Sequence, residues 1–239
     1  MTGRRRKDRD APVIQVDQVW KVYKSREIER TAIKDVSLTI GKGEFVTIFG
    51  ASGSGKTTLL TLIGALDMPT SGRVVIDGVD ASSLSGRKLS LFRNEKIGFI
   101  FQPYNLVPYL NVLENVILPL MIYGKDNEQG VELAKRLLTE IGLGEKIYKK
   151  PKDLSSDEQL RVAVVQALIN MPPILLADEP TGNLDSKTSE NVLKLLAKMS
   201  REENITVLMA THDPNLTKLS DRSIYIRDGQ VEKDIRIRE

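Results

Sequence analysis

The sequence predicts an α/β fold with a mainly parallel central sheet, and three observations carry that prediction. Short apolar runs alternate with helical patterns, a glycine-rich loop joins an apolar run directly to a helical one, and a later apolar run stops at two acids. Taken in order, β-like runs occupy Val13 to Val19, Val36 to Ile40 and Phe45 to Phe49, the last two separated by a turn at Gly41 and Gly43. The glycine-rich loop follows and leads into a helical pattern from Lys56 to Leu66. Val74 to Ile76 and Ile97 to Phe101 read as further strands. From about Asn111 to Asn170 the pattern is helical, with apolar spacing through Val131, Leu133, Ala134, Leu137 and Leu138, so this middle reads as an insert. Apolar Ile174 to Ala177 then ends in Asp178-Glu179-Pro180. A helix near Glu190 to Met199, a strand from Thr206 to Ala210 and a hairpin of Ser223 to Arg227 with Val231 to Ile237 complete the chain.

Composition narrows the function classes. The 239 residues allow one large domain or a core with a small insert, and 41% apolar content suffices for a substantial core. A formal net charge of +3 is a weak argument for any polyanion, so no nucleic-acid partner is expected. The absence of cysteine rules out a disulfide framework and Cys-ligated zinc, and suits a reducing compartment. Residues 1–11 carry Arg4, Arg5, Arg6, Lys7 and Arg9 without an apolar core segment, which reads as a solvated, mobile tail rather than a secretory signal. The sharper alternative is a basic arm touching anionic lipid. The most apolar stretch, Val162 to Ala177, is broken by Gln166, Asn170 and Pro172-Pro173 and falls short of the roughly 20 apolar residues of a spanning helix. Any membrane role therefore comes through a partner.

The loop Gly50-Ala51-Ser52-Gly53-Ser54-Gly55-Lys56-Thr57 matches the P-loop pattern, with an apolar strand before it and a helix after it. Glycines let backbone N–H groups turn inward around a polyphosphate, and the helix N-terminus adds partial positive charge. Lys56 is placed to reach the β- and γ-phosphates and the Thr57 hydroxyl to ligate Mg²⁺. The strand ending at Asp178 puts a carboxylate where α/β sheets bind ligands. Asp178 is the expected Mg²⁺ residue, and Glu179 the group that polarises an attacking water. Standing alone, such an Asp-Glu pair is more often the start of a plain loop; after a P-loop in an α/β pattern it becomes the Mg²⁺ and base pair. His212, the only histidine, follows Thr206 to Ala210 at a second strand end, where it could bond a γ-phosphate or be an ordinary surface residue. Gln102 could ligate Mg²⁺ or water, and Tyr23 could stack on adenine or face the core.

Together these residues resemble the ABC ATPase family, over nearly the whole chain from about Val13 to Val231. Tyr23 matches the aromatic A-loop position, Gly50 to Thr58 the Walker A motif and Gln102 the Q-loop. Asp178 and Glu179 match Walker B with its catalytic glutamate, Asn183-Leu184-Asp185 the D-loop and His212 the switch histidine. Phe101-Gln102-Pro103-Tyr104-Asn105-Leu106 and Thr181-Gly182-Asn183-Leu184-Asp185 look like the lipoprotein-release and macrolide-export (LolD/MacB-like) branch. The resemblance implies one ATPase domain over 12–239: a RecA-like P-loop NTPase core, an N-terminal antiparallel β subdomain and a helical subdomain inserted at about 104–170. It implies ATP and Mg²⁺ as ligands, held by Tyr23, the loop 50–58, Gln102 and Ser155, with Lys56, Glu179 and His212 catalytic and Thr57, Gln102 and Asp178 around the metal. It further implies a second ATP-binding subunit, like or unlike, closing head to tail over two ATPs. Membrane permease subunits at the cytoplasmic face would dock near Gln102. Soluble ABC ATPases of DNA repair or translation typically carry long coiled-coil inserts or paired halves, which this sequence lacks. A P-loop kinase or GTPase does not account for the later motifs.

One motif departs from the family pattern. Where the signature Leu-Ser-Gly-Gly-Gln is expected, the chain has Leu154-Ser155-Ser156-Asp157-Glu158, and Gln166 stands where arginine is usual. Ser155 with Glu158 forms a capping box, so the following helix is expected to be well formed. Carboxylates at this end also repel a partner's phosphate. A unit like-charge pair at about 4 Å costs roughly 4 kcal/mol at an effective dielectric near 20, cut to about 1–3 kcal/mol by screening and rotation. A good helix with a poor trans-acting phosphate site is the expectation, with a weakly active or regulatory ATPase as the alternative function.

Overall fold

The computed structural model describes residues 12–25, 29–122, 124–182, 184 and 186–237. The basic segment expected to be a tail, and Asn183 and Asp185 of the D-loop match, lie outside the described residues.

Two long strands open the fold, β1 (Pro12–Lys24) and β2 (Glu29–Gly41), paired antiparallel and extended by β4 (Ser71–Ile76) and β5 (Val79–Asp80) in the order β2-β1-β4-β5. The second sheet contains β3 (Phe45–Phe49), β6 (Ile97–Ile100), β7 (Ile174–Asp178), β8 (Thr206–Thr211), β9 (Arg222–Arg227) and β10 (Gln230–Arg236), in the order β10-β9-β3-β8-β7-β6. Its pairings are parallel except for the β9–β10 hairpin. β7 and β8 are nearly unbroken buried runs, as strands covered on both faces must be. β1 and β2 bury only one side and alternate accordingly.

Helix α1 (Lys56–Ile63) lies between the two sheets, and its Leu59, Leu60, Leu62 and Ile63 join both in one core. A second helix, α2 (Gly86–Lys96), was not foreshadowed by the apolar pattern. None of its residues is fully buried, and only Leu89 and Phe92 lean on the core, so its sequence carries almost no stripe.

The insert resolves into α3 (Val112–Met121), α4 (Glu128–Glu140) and α5 (Ser156–Leu168), with two short 3₁₀ turns between α4 and α5. It has its own core, formed by Val112, Val116, Leu120, Ala134, Leu138 and Leu143 among others. α5 serves two cores at once. Val162, Val165 and Ile169 pack into the insert, while Leu160, Ala163, Val164 and Leu168 pack on the parallel sheet with α6 (Ser186–Glu203). Buried Asn115 of α3 pins the loop before it, accepting from the Val107 N–H at 2.7 Å and donating to the carbonyls of Val107, Leu110 and Asn111. Gln166, the departure from arginine, donates to the Asn115 carbonyl at 2.8 Å and so ties α5 to α3.

Candidate functional site

β3 sits between β8 and β9, so its carboxyl end opens at the centre of the sheet, and the loop 50–55 leaves from there. The loop turns sharply into α1. Gly55, the N-cap, lies at φ 112, a left-handed conformation reserved for glycine, and a Cβ on Gly50 would fall 2.4 Å from the Ile226 carbonyl oxygen. α1 starts with no side-chain cap and no acid in its first turn, so its leading N–H groups and positive dipole end stay available to an anion. The hairpin holds the loop from outside: the Gly229 N–H donates to the Ser54 carbonyl at 2.9 Å, and the Lys34 N–H to the Gly229 carbonyl at 2.8 Å. The Ser54 hydroxyl is buried without a hydrogen-bond partner.

Lys56 is only 6% exposed, and its ammonium folds back over the loop, donating to the carbonyls of Gly50 at 2.9 Å and Ala51 at 3.1 Å. Beside it, the Thr57 hydroxyl donates to Asp178 Oδ1 at 3.1 Å across 121 residues of chain. Burial pushes the Asp178 carboxyl above its ordinary range, partly offset by the Thr57 hydrogen bond; Glu179 adds to the rise and Lys56 opposes it. A hydroxyl and a carboxylate side by side are hard oxygen donors that suit Mg²⁺, which binds through one or two carboxylates and substrate phosphates. Among the described residues no cluster of three or more His, Cys, Asp or Glu could hold a metal by itself.

Glu179 joins three strand ends. It sits at φ 46 and is 17% exposed. Its Oε1 lies 3.5 Å from Lys56 Nζ and its Oε2 lies 2.9 Å from His212 Nδ1. Oε2 also accepts from the His212 backbone N–H at 3.3 Å. The residues after β3, β7 and β8 are thereby gathered at one edge.

Tyr23 projects from β1 into a cleft of about 180 Å³ lined also by Arg30, Ala32, Gly53, Gly55, Lys56, Thr57 and Thr58. It is 43% exposed there rather than turned to the core. Gln102 is exposed after β6, with its amide against Gly182; a Cβ on that glycine would meet Nε2 at 2.6 Å.

Ser155 is the N-cap of α5, in the inserted subdomain, and the expected capping box is present. Its hydroxyl accepts from the Glu158 N–H at 3.3 Å, while Glu158 accepts from the Ser155 N–H at 3.1 Å. The two acids are not bare, as the simple repulsion estimate assumed. Glu158 pairs with Lys146 at 2.5 Å and Asp157 with Arg161 at 2.6 Å. Much of their charge is therefore offset locally, and the box takes up the N–H groups of Ser155 and Glu158. Lys21, Asp67 and Gly229 also support the site, and no motif marked them; they reach it only through the fold.

The ABC transporter family profile matches residues 33–182 of this chain. The chain belongs to the ABC transporter family. This family member is 46% identical to the ATP-binding protein MJ0796 of Methanocaldococcus jannaschii, over 95% of this chain and 98% of that one. It is 44% identical to the lipoprotein-releasing system ATP-binding protein LolD of Aquifex aeolicus, over 94% and 98%. It is likewise 44% identical to the macrolide export ATP-binding/permease protein MacB of Syntrophobacter fumaroxidans, where it spans 93% of itself but 31% of that protein. The fold superposes on the dimeric structure of the MJ0796 ATP-binding cassette in a post-hydrolysis state bound to ADP and Pi, with a TM-score of 0.88, 43% identity and coverage of 95% and 99%. This ABC cassette has, among its described residues, no helix long and apolar enough to cross a membrane.

Proposed function

We propose that this chain binds MgATP with its P-loop end, hydrolyses it, and drives a separate membrane permease by pairing with a second cassette when ATP binds. The convergence of Lys56, Glu179 and His212 on one edge, next to Thr57 and Asp178, is the observation that carries this reading.

The loop amides and Lys56 are the phosphate grip. Among the described residues Lys56 rests on the Gly50 and Ala51 carbonyls and on Glu179, and it would exchange those carbonyls for β- and γ-phosphate oxygens. Thr57 and Asp178 would hold Mg²⁺, which when bound offsets charge on the phosphate oxygens. The raised affinity of Asp178 for a proton marks a carboxylate that gains from a cation. Glu179 Oε1 is freed when Lys56 turns to phosphate, and that oxygen orients the attacking water and draws its proton. His212, oriented by Glu179 through Nδ1, presents its imidazole at the same edge for the γ-phosphate. Tyr23 would stack on the adenine, and Gln102 would report on the metal or water. Residues 12–239 act as one cassette in this reading, at the cytoplasmic face through the permease. The LolD and MacB relatives support export or extraction of a lipoprotein, peptide or hydrophobic molecule.

The acids at the start of α5 favour a refinement. With Asp157 and Glu158 standing where the family pattern has glycine and glutamine, this signature segment is a weak trans-acting phosphate site, and pairing with a cassette that carries the glycines gives the faster motor. Light scattering of Glu179→Gln with and without MgATP tests the core proposal. A shift from monomer to dimer supports ATP-driven pairing of like chains. A monomer that still binds ATP points to the unlike partner, and absence of ATP binding overturns the proposal.

A further inference from the structure

Asp67, just beyond α1, makes contacts that phosphate chemistry does not explain. Its Oδ2 accepts from the Tyr23 hydroxyl at 3.0 Å, and its Oδ1 accepts from Lys21 Nζ at 2.6 Å and from the Met68 N–H at 2.7 Å. Lys21, largely buried, also donates to the Met68 carbonyl at 2.8 Å and stands 4.9 Å from the centre of the Tyr23 ring. Lys21 is not among the residues that line the cleft in which Tyr23 stands, so its cation–π contact holds the ring without adding a charge to the lining. Both oxygens of Asp67 are committed, and its carboxyl is held below the ordinary range: burial works against this, but the hydrogen bonds from Lys21, the Met68 amide and Tyr23 win. Tyr23 is correspondingly pushed up, by burial first and then by Asp67, so the phenol stays a neutral donor.

A half-exposed tyrosine at a strand end would otherwise sample several rotamers, and a stacking platform that must be ordered on binding loses affinity. We infer that Asp67 and Lys21 are positioning residues for purine recognition, holding the Tyr23 ring at its hydroxyl end and by a cation–π contact so that the cleft presents a fixed platform to the base. This rests on the ATP reading proposed above and adds two residues to it. It also links the base platform to the phosphate grip, because Asp67 directly follows the turn that ends α1 and Lys56 begins that helix.

The test separates base from phosphate. Binding of MgATP and of magnesium tripolyphosphate, which has no base, is measured by calorimetry on the whole chain and on Asp67→Asn, Lys21→Met and Tyr23→Phe. Asp67→Asn and Tyr23→Phe should each weaken MgATP about threefold to tenfold, the scale of one hydrogen bond, and leave tripolyphosphate unchanged. Their double variant should lose little beyond either single one, because both remove the same contact. Lys21→Met should act in the same direction. Equal losses for both ligands would reduce these residues to scaffolding and overturn the inference. So would unchanged ATP binding in Asp67→Asn and Lys21→Met while the parent chain still prefers ATP to tripolyphosphate. A parent chain with no such preference would overturn the Tyr23 base site itself, and a parent that binds neither ligand would overturn the ATP reading.

Discussion

Two helices in this molecule begin beside residues that the family uses on phosphate, and they begin in opposite ways. α1 opens on Gly55 with no cap and no acid, its end shaped by glycines and guarded by a single buried lysine. α5 opens on Ser155 with a complete capping box and two acids, each with its own cation. The first end is poorly satisfied by its own chain and is therefore useful to an anion. The second is capped by its own side chains and gains stability from them. A helix N-terminus can serve a ligand or itself, and the choice is made by three or four side chains.

The comparison breaks first at the catalytic edge of α1. Glu179→Gln should lower ATP turnover by at least about 100-fold while MgATP binding persists, the usual scale for a missing general base. Turnover within a few-fold of the parent in a phosphate-release assay would remove Glu179 from its role. Next in size is opening α5. Ser156→Gly, Asp157→Gly and Glu158→Gln together should raise turnover and tighten ATP-driven pairing by about tenfold, the low end of the like-charge estimate because the acids are already paired. The same change should lower thermal stability, since it removes the ion pairs to Lys146 and Arg161 and adds glycines to a first turn. Faster turnover with lower Tm would sharpen the contrast; no change in turnover would end it.

How far this was legible depends on the range of the interactions. The α1 end is written in nine consecutive residues, Gly50 to Thr58, and the α5 cap in four, so both could be read in the sequence. The mainly parallel sheet and the inserted helices also showed in the apolar pattern. α2 did not, because Gly86 to Lys96 buries no residue fully. The Lys21–Tyr23–Asp67 contacts span 44 and 46 residues and appear only once β1 lies against the turn after α1. The local pairing of Asp157 and Glu158 was missed for a different reason. Their partners Arg161 and Lys146 were in view, but where those side chains point depends on how α5 packs against the loop before it.

Smaller effects test the stable half of the contrast. Ser155→Ala should cost about 1 kcal/mol as a lost N-cap, or about 2–4 °C in Tm for a chain of this size. An unchanged melt would mean that the packing of α5 on two cores holds the helix without its cap. The smallest effect is in pH. Lys146, and then the Ser155 amide, hold the Glu158 carboxyl below its ordinary value of 4.5. A carboxyl bound less tightly to its proton when folded adds stability that is full above that value and fades as pH falls through the depressed one. Denaturant midpoints of the parent should therefore fall more steeply below about pH 4.5 than those of Lys146→Met. Parallel acid limbs would show that the pair contributes nothing.

The brace on the phosphate loop has a consequence for the order of events during synthesis. β3 takes β8 and β9 as its neighbours, and the Ser54 carbonyl takes its hydrogen bond from Gly229. The ribosome thus finishes the nucleotide grip long before it makes the parts that hold it in shape. Until the β9–β10 hairpin has emerged, β3 lacks its β9 neighbour and the loop lacks the Gly229 brace, and contacts this distant in sequence form slowly. A nascent cassette should remain unable to take up ATP until the β9–β10 hairpin has been made.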